Sequence, residues 1–137
     1  MAISKIMKSQ VVAVDMDHTI RRVNELFASN EFHHLLVLED NKLVGIISDR
    51  DLFKSLSPRI GTPAETLQDT ALLNKKAHQI MTRNPIVINQ KAAVQDAIEI
   101  FNQNKISCIP VVNDEHIPVG ILSWRDIMRL LVKTTAK

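Results

Sequence analysis

The chain has 137 residues, 45% hydrophobic and 23% charged, the balance of one packed domain or two very small ones rather than of a disordered segment. Its 17 basic and 15 acidic residues leave a formal charge of +2, too small and too dispersed for a nucleic-acid face, although a local basic cluster can still serve a small anion. No apolar run approaches the roughly 20 residues that span a bilayer, "MAISKIMKSQ" lacks the apolar stretch of a secretory signal, and a lone Cys108 gives neither an intrachain disulfide nor a thiolate cluster; a reduced, cytoplasmic setting without a membrane partner is expected.

In chain order, an Ile6-Met7 lead-in precedes "VVAV" at 11–14, a β-branched run that predicts a first strand. Ile20, Val23 and Phe27 then recur at helical spacing. "LLVLE" at 35–39 predicts a second strand, and a polar turn at Asp40-Asn41 leads to a third strand ending at Ile47. A last helix carries Leu52, Phe53 and Leu56. A connecting stretch, 58–75, contains Thr62-Pro63-Ala64-Glu65, which reads as a helix start: threonine N-cap, proline at the first helical position, glutamate reaching back to the cap. Leu67, Ala71 and Leu72 would form the stripe by which this helix lies on the globule. Its simplest role is a passive linker, with room for a partner or dimer contact.

The same elements then return. Ile80-Met81 repeats the lead-in, "IVI" at 86–88 the first strand, and Val94, Ala97, Ile98 and Phe101 the helix. "IPVVN" at 109–113, a turn at Asp114-Glu115, a strand ending at Leu122 and a helix with Ile127, Met128 and Leu131 complete the second copy. "GIISDRDLF" (45–53) and "GILSWRDIM" (120–128) align at an offset of 75 residues, which becomes 74 upstream of the hairpins, where Phe27 meets Phe101 and Val37 meets Val111. The fold class is therefore α/β (α+β), built of two β-α-β-β-α repeats, 1–57 and 76–137, joined by a linker at 58–75. Each three-stranded sheet has helices on one face only, so the two sheets are expected to pack on each other with pseudo-twofold symmetry.

Ser48 and Ser123 stand where a strand becomes a helix, and Ser-x-x-Asp is a variant of the capping box with Asp51 and Asp126 at the third helical position. Capping explains the serine and aspartate. It explains neither Arg50 and Arg125 nor the glycine three residues before each serine. The same residues suit a nucleotide: the carboxylate can accept two hydrogen bonds from a ribose diol, serine adds another, and arginine offers a planar fork to phosphate at a helix start.

Two such units, each with an "IM" lead-in, a "PVV"-like second strand and Gly-h-h-Ser-x-x-Asp, resemble a tandem pair of CBS (cystathionine-β-synthase) domains, a Bateman module. The resemblance covers nearly the whole chain outside the linker, rests on "HQIMTRNPIVI", "SCIPVV" and "VGILSWRD", and extends to small stand-alone bacterial CBS proteins of the acetoin-utilisation type. It implies regulatory binding of adenosyl ligands (AMP, ADP, ATP or S-adenosylmethionine) in clefts between the repeats. Carried over by position, the ribose partners would be Asp51 with Ser48 and Asp126 with Ser123. The base would rest on the segment entering a first strand, Lys8 to Val11 with Ser9 or Arg83 to Ile86 with Asn84, and on Ile106-Ser107 or Phe32-His33. Phosphate would meet Arg50 or Arg125 and, in the first site, His33 and His34. Adjacent histidines at a strand start are more often simply surface residues, and with no third ligand at suitable spacing no metal site is expected.

The copies diverge: Leu36 stands where Pro110 does, and Trp124 where Asp49 does, a position at which an aromatic more often packs or meets a partner than stacks on a ligand. Neither serine lies in a nucleophile-elbow pattern and there is no Walker loop, so an enzyme is not expected. The resemblance also implies a homodimer formed through helical faces and a separate, unidentified protein effector. The alternative is a structural or protein-interaction module whose Ser-x-x-Asp boxes are only caps.

Overall fold

The computed structural model describes residues 1–135. Its strands and helices are β1 (Ala13–Asp15), α1 (Ile20–Ser29), β2 (His34–Glu39), β3 (Lys42–Ser48), α2 (Asp49–Ser55), α3 (Leu67–Leu72), β4 (Thr82–Arg83), β5 (Ile88–Asn89), α4 (Val94–Gln103), β6 (Cys108–Val112), β7 (Pro118–Ser123) and α5 (Trp124–Thr135). They form the mixed α/β architecture expected from the repeats, with β1 parallel to β2, β2 antiparallel to β3, and the same arrangement in β5, β6 and β7.

The compact units do not coincide with the repeats as they run in sequence. One unit is Val12–Asn84; the other combines Met1–Val11 with Pro85–Lys137. The reason is backbone pairing by the lead-ins. In the first of these units, β4, the lead-in to the second repeat, pairs with β3 through Gly45–Arg83 and Ile46–Thr82, making the sheet four-stranded, β1-β2-β3-β4, rather than three-stranded. In the other, Lys8 and Ile121 exchange two backbone hydrogen bonds of 2.9 Å, the same contact reduced to a single bridge beside β7.

Each unit closes its own core. Val14, Ile20, Val23, Leu35, Val37, Ile47 and Leu52 pack with Leu73 and Ala77 in one. Ile88, Val94, Ala97, Ile109, Val111, Leu122 and Ile127 pack with Ile3 in the other. The α2 stripe is narrower than the sequence suggests: Leu52 is buried and Leu56 packs on the core, but Phe53 is 67% exposed, and Met128 and Leu131 on α5 are exposed as well.

Glycine at the head of "GIIS" and "GILS" has a steric cause. A Cβ on Gly45 would meet the Met81 side chain, with Cγ at 2.8 Å; one on Gly120 would lie 2.5 Å from Met7 Sδ and 2.8 Å from the Lys8 carbonyl oxygen. The methionine of each "IM" lead-in thus sits where a side chain on β3 or β7 would stand. The hairpins explain the change of offset. Asp40 and Asn41, both with positive φ (52° and 67°), form the two-residue turn that matches strand twist. The second hairpin is longer, with His116 at φ 64° and Asn113 Oδ1 accepting from the N–H groups of Glu115 and Ile117.

The connecting helix starts later than its sequence suggests. Residues 62–65 form turns in which the Thr62 hydroxyl donates to the Arg59 carbonyl and Glu65 Oε1 accepts from the Gly61 N–H. The helix begins after Thr66, whose Oγ accepts from the Asp69 N–H while the Asp69 carboxylate accepts from the Thr66 N–H at 2.8 Å. Leu67 is 90% exposed and Ala71 is exposed, so the expected stripe is absent; Asp69 and Leu73 are the buried residues. Asp69 is tolerated there because Arg59 Nη2 donates to it at 3.0 Å.

Candidate functional site

The site residues divide between the units. Val12–Asn84 holds Ser48, Arg50, Asp51, His33, His34 and Asn84, whereas the other unit holds Ser123, Arg125, Asp126, Ser9, Val11, Ile86, Ile106 and Ser107. The lead-in that flanks each of these strands comes from the opposite repeat: Arg83 is opposite Gly45 on the strand ending at Ser48, and Lys8 is opposite Ile121 on the strand ending at Ser123.

Both capping boxes form. Ser48 Oγ accepts from the Asp51 N–H at 3.1 Å, and Asp51 Oδ2 accepts from the Ser48 N–H at 2.9 Å. The second box repeats this at 3.2 and 2.8 Å between Ser123 and Asp126. Each strand-to-helix corner is further tied to the start of the neighbouring strand, since the Asp49 N–H donates to the His33 carbonyl and the Trp124 N–H to the Ser107 carbonyl. This bond places His33 and Ser107 at equivalent points beside the two boxes. Arg50 and Arg125 are exposed, so both guanidinium forks are open to solvent.

The surroundings of the boxes differ. In the Val12–Asn84 unit His33 Nδ1 lies 3.0 Å from Asp49 Oδ2, a contact that holds the Asp49 carboxyl below its ordinary range. His34 opens β2 opposite Ser48. Burial lowers its pKa, against the opposing pull of the Asp49 and Asp51 carboxylates, so the ring is neutral near pH 7. His33 and Asp49 also line an open pocket of about 520 Å³ with Phe27, Asn30, Glu31, Phe32 and Phe53. In the other unit the equivalent residues are Ser107, Cys108 and Trp124. Cys108 pairs with Ser123 on the central strand, and burial pushes its thiol up to about 12.

Three of the residues singled out have places in the fold of their own. Ile106 packs against its unit's hydrophobic core, so it contributes support. Ile86 is 42% exposed and precedes β5, which begins at Ile88 rather than 86. Asn84 has a positive φ of 49° and donates its N–H to the Val44 carbonyl, ending the β3–β4 pairing. Sequence reasoning missed Arg129, whose Nη1 donates to Asp126 Oδ1 at 3.0 Å; the signal was the i, i+3 spacing from an aspartate on a helix. Among the described residues no group of three His, Cys, Asp or Glu side chains converges to hold a metal, and no helix is long and apolar enough to cross a membrane.

The family described as the CBS domain matches residues 3–58 and 77–133. Uncharacterized protein MJ1426 of Methanocaldococcus jannaschii is 30% identical, the match covering 96% of this chain and 92% of the relative. MJ1232 of the same organism is 28% identical over 89% of this chain, but this chain spans only 36% of that relative's length. Among solved structures, the CBS domain pair of protein MJ0100, in complex with 5′-methylthioadenosine and S-adenosyl-L-methionine, is 25% identical with a TM-score of 0.77, and the match covers 98% of both chains.

Proposed function

Because this chain belongs to the CBS domain family and carries two copies of that domain, we propose that it is a regulatory module that senses an adenosyl ligand: AMP, ADP, ATP or S-adenosylmethionine. One observation carries the reading: in each unit the strand that ends in a Ser-x-x-Asp box with an exposed arginine is flanked by the opposite repeat's lead-in. The carboxylate is the acceptor for the ribose diol, the serine hydroxyl a further partner, and Arg50 or Arg125 the phosphate fork. His33 and His34 add donors for phosphate in the Asp51 unit. The adenosyl ligands of the MJ0100 domain pair support this chemical class.

No step of bond making is assigned to the chain. Occupancy is read out as a conformational or oligomeric change, which requires the ligand to bind one state better than the other. A homodimer is part of this proposal, supported by the exposed Trp124 and Met128, one turn apart on α5, and an unidentified protein effector would receive the signal. The competing reading is a non-catalytic interaction module with purely structural caps, a role that the paired hydrogen bonds of both boxes serve.

Sugar chemistry separates the two readings. Replacing a charge-assisted hydrogen bond to the diol costs about 1.5–3 kcal/mol, or about tenfold to a hundredfold in affinity. Asp51→Asn should therefore weaken AMP binding by that factor, and 2′-deoxy-AMP should bind the unsubstituted protein correspondingly less well than AMP. Equal affinity for AMP and its 2′-deoxy form, unchanged in Asp51→Asn, would refute the carboxylate–ribose contact.

A further inference from the structure

The two Ser-x-x-Asp boxes are alike in backbone geometry and unlike in what their carboxylates have left to offer. Asp126 has both oxygens engaged: Oδ2 accepts from the Ser123 N–H at 2.8 Å and Oδ1 from Arg129 Nη1 at 3.0 Å. Its side chain is only 3% exposed, whereas that of Arg129 is 57% exposed. Asp51 has the same Ser48 contact on Oδ2, but among the described residues no protein donor reaches its Oδ1, and the residue is only half-buried. The position equivalent to Arg129 in the first repeat is Lys54, which is exposed on α2 and enters no ion pair among the described residues.

We infer that Arg129 commits Asp126 to capping α5, so that the Asp51 unit takes the ligand's sugar and Arg129 is the residue that sets this choice. The inference rests on the adenosyl-ligand reading. A neutral ribose hydroxyl donates a weaker bond to a carboxylate than a guanidinium does, so it displaces Arg129 only at a cost in affinity. Three further replacements point the same way. His33, His34 and Asp49 in the Asp51 unit become Ser107, Cys108 and Trp124, so the imidazole donors for phosphate occur beside Asp51 alone. Arg129 is thus a positioning residue, acting through Asp126 and not on the ligand.

The test is isothermal titration of the full chain with AMP and, separately, with S-adenosylmethionine, reading stoichiometry as well as affinity. The unsubstituted protein should bind one equivalent per chain, and Asp51→Asn should weaken that binding at least tenfold. Arg129→Ala should raise the stoichiometry towards two, and adding Asp126→Asn to Arg129→Ala should remove the gained site. Arg129→Gln, which keeps a long side chain but lacks the charge, guards against loss of packing and should gain the site as Arg129→Ala does. Two equivalent sites in the unsubstituted protein, or a stoichiometry of one retained in both Arg129 variants, would overturn the inference and leave the adenosyl reading standing. Silence with both ligands would overturn the adenosyl reading and the inference with it.

Discussion

Gly120→Ala should destabilise the protein more than Gly45→Ala, because the two glycines face obstacles of different stiffness. At Gly45 the atoms in the way all belong to the Met81 side chain, which is flexible and able to swing aside. At Gly120 the Met7 side chain is joined by the Lys8 carbonyl oxygen, 2.8 Å from the new Cβ. That oxygen accepts from the Ile121 N–H, while the Lys8 N–H donates to the Ile121 carbonyl, so it cannot retreat without lengthening a paired bridge. Overpacking of this kind costs about 1–3 kcal/mol, partly offset by about 0.4–1 kcal/mol as alanine restricts the unfolded chain. The net expectation is about 1–2 kcal/mol for Gly120→Ala and near zero for Gly45→Ala. At about 4 °C per kcal/mol for a chain of this size, the melting temperature should fall by about 4–8 °C in the former and hardly move in the latter. Thermal unfolding followed by circular dichroism measures both. Equal stability of the two variants, or a greater loss in Gly45→Ala, would refute the assignment of these glycines to lead-in contacts.

Other outcomes follow from the titratable groups. The Ser57 hydroxyl first, then the Thr66 N–H, hold the Asp69 carboxyl well below its ordinary value of 3.8, so its stabilisation is complete above that value and is lost as pH falls through the lower, folded one. Asp69→Asn should accordingly melt lower than the unsubstituted protein at neutral pH, with the gap closing in acid; a gap independent of pH would contradict the role of its charge. His34 is neutral near pH 7 because burial lowers its pKa, so a phosphate that favours its charged form must bind with proton uptake. ATP affinity should rise by up to about tenfold per pH unit on acidification from about pH 8 to about pH 6, and His34→Gln should flatten that profile in titration calorimetry. The Cys108 thiol, pushed up to about 12, should resist iodoacetamide at neutral pH in the folded protein and react readily in denaturant. Rapid alkylation of the folded chain would place that thiol outside the β6 environment.

The repeat made most of the fold legible, because strand and helix periodicities, the Asp40-Asn41 turn and both capping boxes are local features written in neighbouring residues. Pairing partners distant in sequence were not legible in the same way. Nothing in "IMTRNP" states that Thr82 and Arg83 will lie beside Gly45 and Ile46, and the exchange of lead-ins follows from that tertiary contact. The α3 start was misplaced for a local reason: Thr62 and Thr66 each stand three residues before an acid, but Pro63 made the first look better, while the pairing of buried Asp69 with exposed Arg59 favours the second. At the candidate site, Ser48, Asp51, Ser123 and Asp126 were readable as residues with two possible roles, cap and ligand partner. What distinguishes them, the Arg129 contact on Asp126, depends on which rotamer a helix neighbour adopts, and the spacing alone would have allowed Lys54 the equivalent part.

The central claim is most directly tested by titrating the purified protein with AMP, ADP, ATP and S-adenosylmethionine in a calorimeter. Saturable heat with at least one of them, diminished in Asp51→Asn, is the result this account predicts. Absence of binding to all four, from a protein whose circular dichroism shows it folded, would contradict it and leave the boxes as helix caps in an interaction module.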